Sequence, residues 1–265
     1  MKQDTGKFRD TKDQFYTNEK VAKQCIQSIV ETIPQTINYF WIEPSAGNGA
    51  FFNNITFPKL GLDIEPKSND IQKQDYLTWE HNIPKDIIVF GNPPFGRQSS
   101  LAKSFISKSC KFAKVVAFIL PRSFTKPSMY KAFPLSFHLV SSVELEKNSF
   151  LLNDTPYDVP CVFQIWEKRD NDRKIEDKII PSGFYYVNYD TYDIALRRVG
   201  VNAGKCYKYE EKKCSPQSHY FIKFKKYDPT IIEKINNHIF PSNTVGPRSL
   251  SKTEVNKVLN EFISA

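Results

Sequence analysis

Hydrophobic positions recur along this chain with two different periods. Val21, Ala22, Cys25, Ile26, Ile29, Val30 and Ile33 share one face at helical spacing within Asn18–Ile33, and Pro34 ends the run, so the pattern predicts a helix of about four turns. Six short apolar runs of strand character follow, each closed by turn residues: Tyr39–Ile42, Lys59–Leu62, Asp86–Phe90, Val115–Leu120, Val140–Leu145 and Val162–Trp166. Several of the connections are long enough for a crossover helix, Ser99–Phe112 most plainly. That spacing predicts βαβ units, a mostly parallel sheet and a doubly wound α/β domain. The last two runs are joined by Glu146–Cys161, which has no helical pattern, so they are expected to pair antiparallel and close the sheet edge.

The texture changes after Trp166. A charged stretch, Glu167–Lys178, marks an expected boundary between a domain over 1–169 and an α+β extension over 170–265, with nucleic-acid recognition as its expected role. The extension carries Tyr-rich, strand-like pieces at Gly183–Tyr189 and Ser218–Phe224. Its final helix is announced by Ser251 with Glu254 three residues on, the pattern of a reciprocal cap, followed by Val255, Val258, Leu259 and Phe262. No internal repeat interrupts this organisation.

Composition narrows the class. The chain has 265 residues, 40% apolar and 14% aromatic, with 10 Gly and 17 Pro, which excludes collagen-like and low-complexity chains and leaves enough apolar material for a core. The longest purely apolar run, Val115–Leu120, is far short of the roughly 20 residues of a membrane span, and Met1–Asp10 is polar. A soluble, intracellular protein that is not secreted and has no membrane partner is therefore expected. Five Cys without a C-x-x-C pair and four scattered His suggest neither a disulfide framework nor a metal site.

The net charge of +8 is unevenly spread. From Arg97 to Val143 there is no Asp or Glu, against eight cations: Arg97, Lys103, Lys108, Lys111, Lys114, Arg122, Lys126 and Lys131. Solvated faces normally mix signs, so a one-signed stretch of this length points to a polyanion such as nucleic acid. A second window, Arg197–Lys226, carries nine cations against Glu210 and Glu211.

The candidate chemistry falls at predicted strand ends, in order. Glu43-Pro44-Ser45-Ala46-Gly47-Asn48-Gly49 follows the first strand, where glycines let a ligand approach the backbone and where doubly wound sheets open their crevice. Asp63, 20 residues beyond Glu43, closes the next strand at the position from which such folds bind a ribose diol. Asp75-Tyr76 follows a third short segment, and the fourth strand runs into Gly91-Asn92-Pro93-Pro94-Phe95-Gly96.

On these motifs, over roughly residues 12–168, the chain resembles the S-adenosylmethionine-dependent methyltransferases of the amino (N6-adenine) type. The resemblance implies S-adenosyl-L-methionine as cofactor and a Rossmann-like methyltransferase sheet with an antiparallel edge strand. In that family the glycine loop holds the methionine part of the cofactor, which here would fall to Glu43, Ser45, Gly47 and Gly49. Asp63, with Ile64 beside it, would bind the ribose, and Asp75 and Tyr76 would hydrogen-bond and flank the cofactor adenine. Asn92-Pro93-Pro94-Phe95 matches the family's catalytic motif. Gln14-Phe15-Tyr16-Thr17 resembles the cofactor-binding segment of members whose cofactor motifs precede the catalytic one, which excludes the permuted orders.

The residues themselves support that chemistry. An exocyclic amine on a purine is a poor nucleophile because its lone pair is delocalised into the ring. The Asn92 side-chain oxygen and the Pro93 carbonyl can each accept one N–H and favour a tetrahedral nitrogen aimed at the sulfonium methyl. The two prolines stiffen the loop, and Phe95 offers a face to a base that is flipped out or already single-stranded. Phe150 and Tyr157 are candidates for a second aromatic clamp on that base. Arg97, Arg122, Arg197, Arg198 and Lys205 are candidate phosphate contacts. The expected reaction is N6 methylation of adenine in nucleic acid, DNA ahead of RNA. RNA adenine, cytosine N4, a protein glutamine amide and an inactive binding subunit remain as alternatives.

Overall fold

The computed structural model describes residues 15–152, 154–175, 179–189, 191–209, 214–241 and 248–264. Met1, Asp10, Gln14, Lys178, Glu210 and Glu211, named above, lie outside the described residues. Two compact units divide the chain, the first ending at Ile175 and the second following it.

In the first unit, Asn18 caps α1 (Glu19–Thr32) by accepting the Lys20 N–H at 2.9 Å, and Pro34 stops it as the spacing predicts. Short strand β1 (Tyr16–Thr17) precedes this helix. The main sheet is built from β2 (Phe40–Glu43), β3 (Lys59–Asp63), β4 (Gln72–Lys73), β5 (Ile87–Gly91), β6 (Val115–Pro121), β7 (Phe137–Glu144) and, past the hairpin strands β8 (Phe150–Leu152) and β9 (Thr155–Tyr157), β10 (Cys161–Lys168). Its order is β4-β3-β2-β5-β6-β10-β7. β4 through β6 run parallel, and β10 is antiparallel to both its neighbours. The antiparallel pair expected at this edge is thus β7 and β10, with β10 lying one place inside and β7 outermost. The sheet is a Rossmann-like, doubly wound one.

Both faces of the sheet are covered, which is why its strands read as continuous apolar runs rather than alternating ones. Ile87 and Val89 of β5 and Val116, Phe118 and Leu120 of β6 pack on one side with Ala102, Phe105 and Ile106 of α2 (Ser100–Ser109). Ile88, Phe90, Val115, Ala117 and Ile119 pack on the other with Ala22, Cys25 and Ile29 of α1. Between β2 and β5 no α-helix forms. Pro58, Pro66 and Pro84 and the Asn, Asp and Ser residues around them favour turns there, and one short 3-10 turn, Phe52–Asn54, is all that winds.

Arg173 ends the first unit as a strap. Its guanidinium donates to the carbonyls of Tyr130 (2.7 Å), Phe133 (2.9 Å), Phe137 (2.7 Å) and Pro134, and lies 5.5 Å from the centre of the Trp166 ring. These carbonyls belong to the 3-10 stretch Pro127–Ala132 and the entry to β7, where the chain makes few ladder bonds of its own.

The second unit is a four-stranded antiparallel sheet of order β11-β14-β12-β13, formed by β11 (Phe184–Tyr186), β12 (Ile194–Arg197), β13 (Cys206–Lys208) and β14 (His219–Phe224). Helices α3 (Thr230–Asn237) and α4 (Lys252–Ser264) cover one face through Ile231, Ile235, Val255, Val258 and Leu259. The reciprocal cap forms as its spacing predicts: Glu254 N–H donates to Ser251 Oγ at 3.2 Å, and Ser251 N–H to Glu254 Oε2 at 2.7 Å. All five cysteines are buried, and no described helix is long and apolar enough to cross a membrane.

Replacing Arg173 with Ala leaves at least three carbonyls without a charged donor. It is expected to lower the unfolding free energy by about 2–3 kcal/mol in urea denaturation, and a loss below about 0.5 kcal/mol would show that the strap carries no stability.

Candidate functional site

The connections leaving β2 lead to one side of the sheet and those leaving β5 to the other, so a crevice opens at the carboxyl ends of these two strands. A cleft stands there, lined by Phe15, Tyr16 and Thr17 ahead of α1, by Glu43, Ser45 and Gly47 after β2, and by Asn92 after β5. Seven of the residues singled out in the sequence therefore meet in one place.

Glu43 is 2% exposed and lies across the backbone of Gly91, where a Cβ would stand 3.1 Å from Glu43 Cγ; the φ of +122° at Gly91 makes that crossing feasible only for glycine. Burial pushes the Glu43 carboxyl well above the usual carboxylate range. The Phe52 backbone amide opposes this, Asp63 adds to it, and Lys59 opposes it. Among the described residues Glu43 Oε2 has no hydrogen-bond partner.

Asn92 is held by its nitrogen. Nδ2 donates to the Phe15 carbonyl at 3.3 Å and to Thr17 Oγ1 at 3.2 Å. A carbonyl only accepts, so the amide is fixed with nitrogen on that side. Its oxygen Oδ1 is buried and has no partner among the described residues. The backbone carbonyl of Asn92 accepts from Ser45 Oγ at 3.0 Å, which ties the glycine loop to the Asn-Pro-Pro-Phe loop. Pro93 is buried, while Pro94 and Phe95 keep part of their surface. Beyond Phe95 the chain reaches α2 through left-handed residues, Gly96 at φ +66°, Gln98 at +53° and Ser99 at +60°, an uncommon conformation for the two that are not glycine.

Asp63 closes the other wall. Oδ2 accepts the Gly47 N–H at 2.7 Å and Oδ1 the Glu65 N–H at 2.8 Å, so this carboxylate shapes the loop while keeping further lone pairs. Gly47, at φ +52°, leaves no room for a side chain beneath the Tyr16 ring, 3.1 Å from where a Cβ would be. Ile64 beside Asp63 is 63% exposed, an open apolar surface next to the loop.

Other expectations are corrected. Tyr76 is 1% exposed, packed on Phe105 and bonded to Ser109 Oγ at 2.7 Å, so its ring cannot flank a ligand; Asp75 faces solvent and accepts the Leu77 N–H at 2.9 Å to close a turn. Gly49 does not line the cleft but turns the loop, its N–H donating to the Ala46 carbonyl at 2.7 Å. Phe150, 1% exposed, belongs to the core under α1 and is no base clamp. Tyr157 stacks on Phe15, with ring centres 5.1 Å apart and planes 7° from parallel.

Of the candidate phosphate contacts, Arg97 is exposed at the carboxyl edge of the sheet. Arg122 at the same edge is engaged, 3.1 Å from Glu144. In the second unit Arg197 donates to the Val199 carbonyl of its own loop, Arg198 to that of Gln217 just ahead of β14 and Lys205 to that of Asn236 in α3, so these three side chains are engaged within the unit. The acid-free stretch is also divided by the fold: α2 carries the chain away from the cleft, and Lys114 bonds to the Ile87 carbonyl at the amino edge.

A three-stranded sheet joins β1, β8 and β9, pairing Thr17 with Phe150 and Phe150 with Tyr157. It places Phe15 and Thr17 against Asn92 and went unread in the sequence. Its signal is the Asn-Asp dipeptide at 153–154 between two short runs.

The chain matches no protein-family model and no curated protein. Solved structures similar to it include a proposed RNA methyltransferase of Pyrococcus horikoshii, 15% identical, covering 63% of this chain and 93% of that one at a TM-score of 0.48. A proposed class I S-adenosylmethionine-dependent methyltransferase of Listeria monocytogenes is 15% identical over 63% of this chain and 65% of that one, TM-score 0.47. The M protein of type I restriction enzyme EcoKI is 14% identical over 60% of this chain and 45% of that one, TM-score 0.43. These neighbours are methyltransferases.

Because the native carboxyl of Glu43 titrates above its unfolded value, its stabilising contribution is complete below the unfolded pKa and is lost as pH rises through the native one. Glu43→Gln is therefore expected to melt above the unaltered protein at about pH 8, with the difference shrinking toward about pH 4.5. A melting difference independent of pH would show that Glu43 is not titrating as a buried acid.

Proposed function

We propose that this chain transfers a methyl group from S-adenosylmethionine to the N6 amine of adenine in a nucleic acid, DNA ahead of RNA. The observation that carries this reading is the Asn92 carboxamide, whose hydrogens are taken by Phe15 and Thr17 and whose buried oxygen is left as an open acceptor in the cleft. An open, buried acceptor calls for a ligand that brings N–H groups.

The polar atoms of the cleft suit that cofactor. Glu43 Oε2, buried and unpartnered, suits a cationic amine; Asp63 keeps lone pairs for ribose hydroxyls; Ile64 presents apolar surface to a purine. S-adenosylmethionine, when bound, supplies an electrophilic methyl group on a cationic sulfur. Asn92 Oδ1 and the Pro93 carbonyl would accept the two amine hydrogens and turn the nitrogen lone pair out of conjugation with the ring. As the N–C bond forms the S–C bond breaks, the sulfur leaves as a neutral thioether, and one amine proton is released to solvent. Pro93 and Pro94 keep the loop from relaxing, since neither has an N–H to pair within it. Phe95, part-exposed beside them, gives the base a face to stack on, which requires the base to be out of its helix. Arg97 at the same sheet edge suits a backbone phosphate.

Methyl-labelled cofactor with single- and double-stranded DNA and RNA, followed by mass spectrometry of the nucleosides, is expected to place label in N6-methyladenine of DNA. Asn92→Ala is expected to lose about a hundredfold or more in transfer while calorimetric cofactor affinity stays within about threefold. Near-normal turnover by this variant would remove Asn92 from the reaction, and label in another nucleoside would replace adenine as the target.

A further inference from the structure

The second unit holds a cavity of about 400 Å³, within the roughly 300–1,000 Å³ of small-molecule sites, between the end of β11, the start of β14 and the start of α4. Tyr186, Tyr189, Tyr220, Phe221, His219 and Lys252 line it, and among the described residues no carboxylate does. Its walls are set in place by hydrogen bonds. Tyr186 hydroxyl donates to Asn256 Oδ1 at 2.7 Å, and Tyr220 hydroxyl to the Leu250 carbonyl at 3.1 Å. The rings are thus fixed by their polar ends and offer their apolar surfaces, a preorganisation that lowers the entropy cost of binding.

Cations attend these rings. Lys252 Nζ sits 4.4 Å from the centre of the Tyr186 ring, and the Arg198 guanidinium 5.6 Å from that of Tyr220. Tyr189 stands at the rim, 42% exposed, with Phe221 packed edge-on at 5.3 Å. Aromatic surfaces for a planar ring and an ammonium for an anion, with no opposing carboxylate among the described residues, are the recognition chemistry of a nucleotide.

We propose that this cavity holds a nucleotide of an unpaired nucleic-acid strand, its base stacked on Tyr189 and its phosphate paired with Lys252. The proposal rests on the reading of the chain as acting on nucleic acid and assigns to the second unit a contact apart from the Asn92 cleft. It also moves that contact away from Arg197, Arg198 and Lys205, whose side chains donate to carbonyls within the second unit.

The test uses the full chain and fluorescently labelled single-stranded DNA and RNA octamers, with affinity read by anisotropy across a salt series. Tyr189→Ala is expected to weaken binding about tenfold or more and Tyr189→Phe to restore it; Lys252→Gln is expected to reduce the log–log salt slope by about one. Calorimetric affinity for S-adenosylmethionine should not change in any of them. Octamers carrying iodouracil are expected to photo-crosslink to the segment 186–189. Octamer binding equal to the native protein's in both Tyr189→Ala and Lys252→Gln, or binding of free mononucleotide without octamer binding, would overturn the proposal. Binding and crosslinking without methylation would leave the cavity standing and remove the activity; methylation with unchanged octamer affinity would do the reverse.

Discussion

Two acceptor oxygens buried without partners among the described residues, Glu43 Oε2 and Asn92 Oδ1, are the constraint around which the first unit is arranged. Each costs on the order of 1–3 kcal/mol when no donor reaches it. A fold tolerates such atoms where something else is meant to satisfy them. Both belong to one cleft, and what they lack is donors, so the cleft is complementary to a ligand that brings N–H groups. One of the two acceptors sits in an environment that disfavours its negative charge, which a cationic partner would relieve.

Keeping those oxygens open requires that nothing in the protein collapse onto them, and the surrounding bonds have that effect. Phe15 and Thr17 take the amide hydrogens of Asn92, Ser45 takes its backbone carbonyl, and Asp63 takes the amides of Gly47 and Glu65. The glycine loop, the Asn-Pro-Pro-Phe loop and the segment before α1 are therefore mutually braced. The hairpin β8–β9 pins that last segment in turn. With no α-helix between β2 and β5, rigidity at this end of the sheet comes from such cross-loop bonds rather than from helix packing.

Charge is organised differently in the fold than along the chain. Eight cations in an acid-free stretch suggest one basic face, yet α2 separates them between the two edges of the sheet, and Arg122 has found Glu144 from β7. In the second unit Arg197 donates to a carbonyl of its own loop and Arg198 to one of the segment ahead of β14. Linear charge density reports a polyanion partner only where side chains remain available, and availability depends on which carbonyls and carboxylates come within reach.

Much was legible in the sequence because it is local. Periodicity placed α1 and the six long strands, since both sheet faces are covered and the runs are unbroken; Pro34 and the Ser251–Glu254 pair marked helix ends by bonds within a few residues. Asn92, Glu43 and Gly47 were found because strand ends in a doubly wound sheet converge by topology. Only the tertiary structure decided that Tyr76 and Phe150 are core, that Tyr157 lies on Phe15, and that the amide of Asn92 is turned with its oxygen inward. An aromatic residue has the same signature in a sequence whether its ring fills a core or faces a cleft, because the difference lies in contacts with segments many residues away.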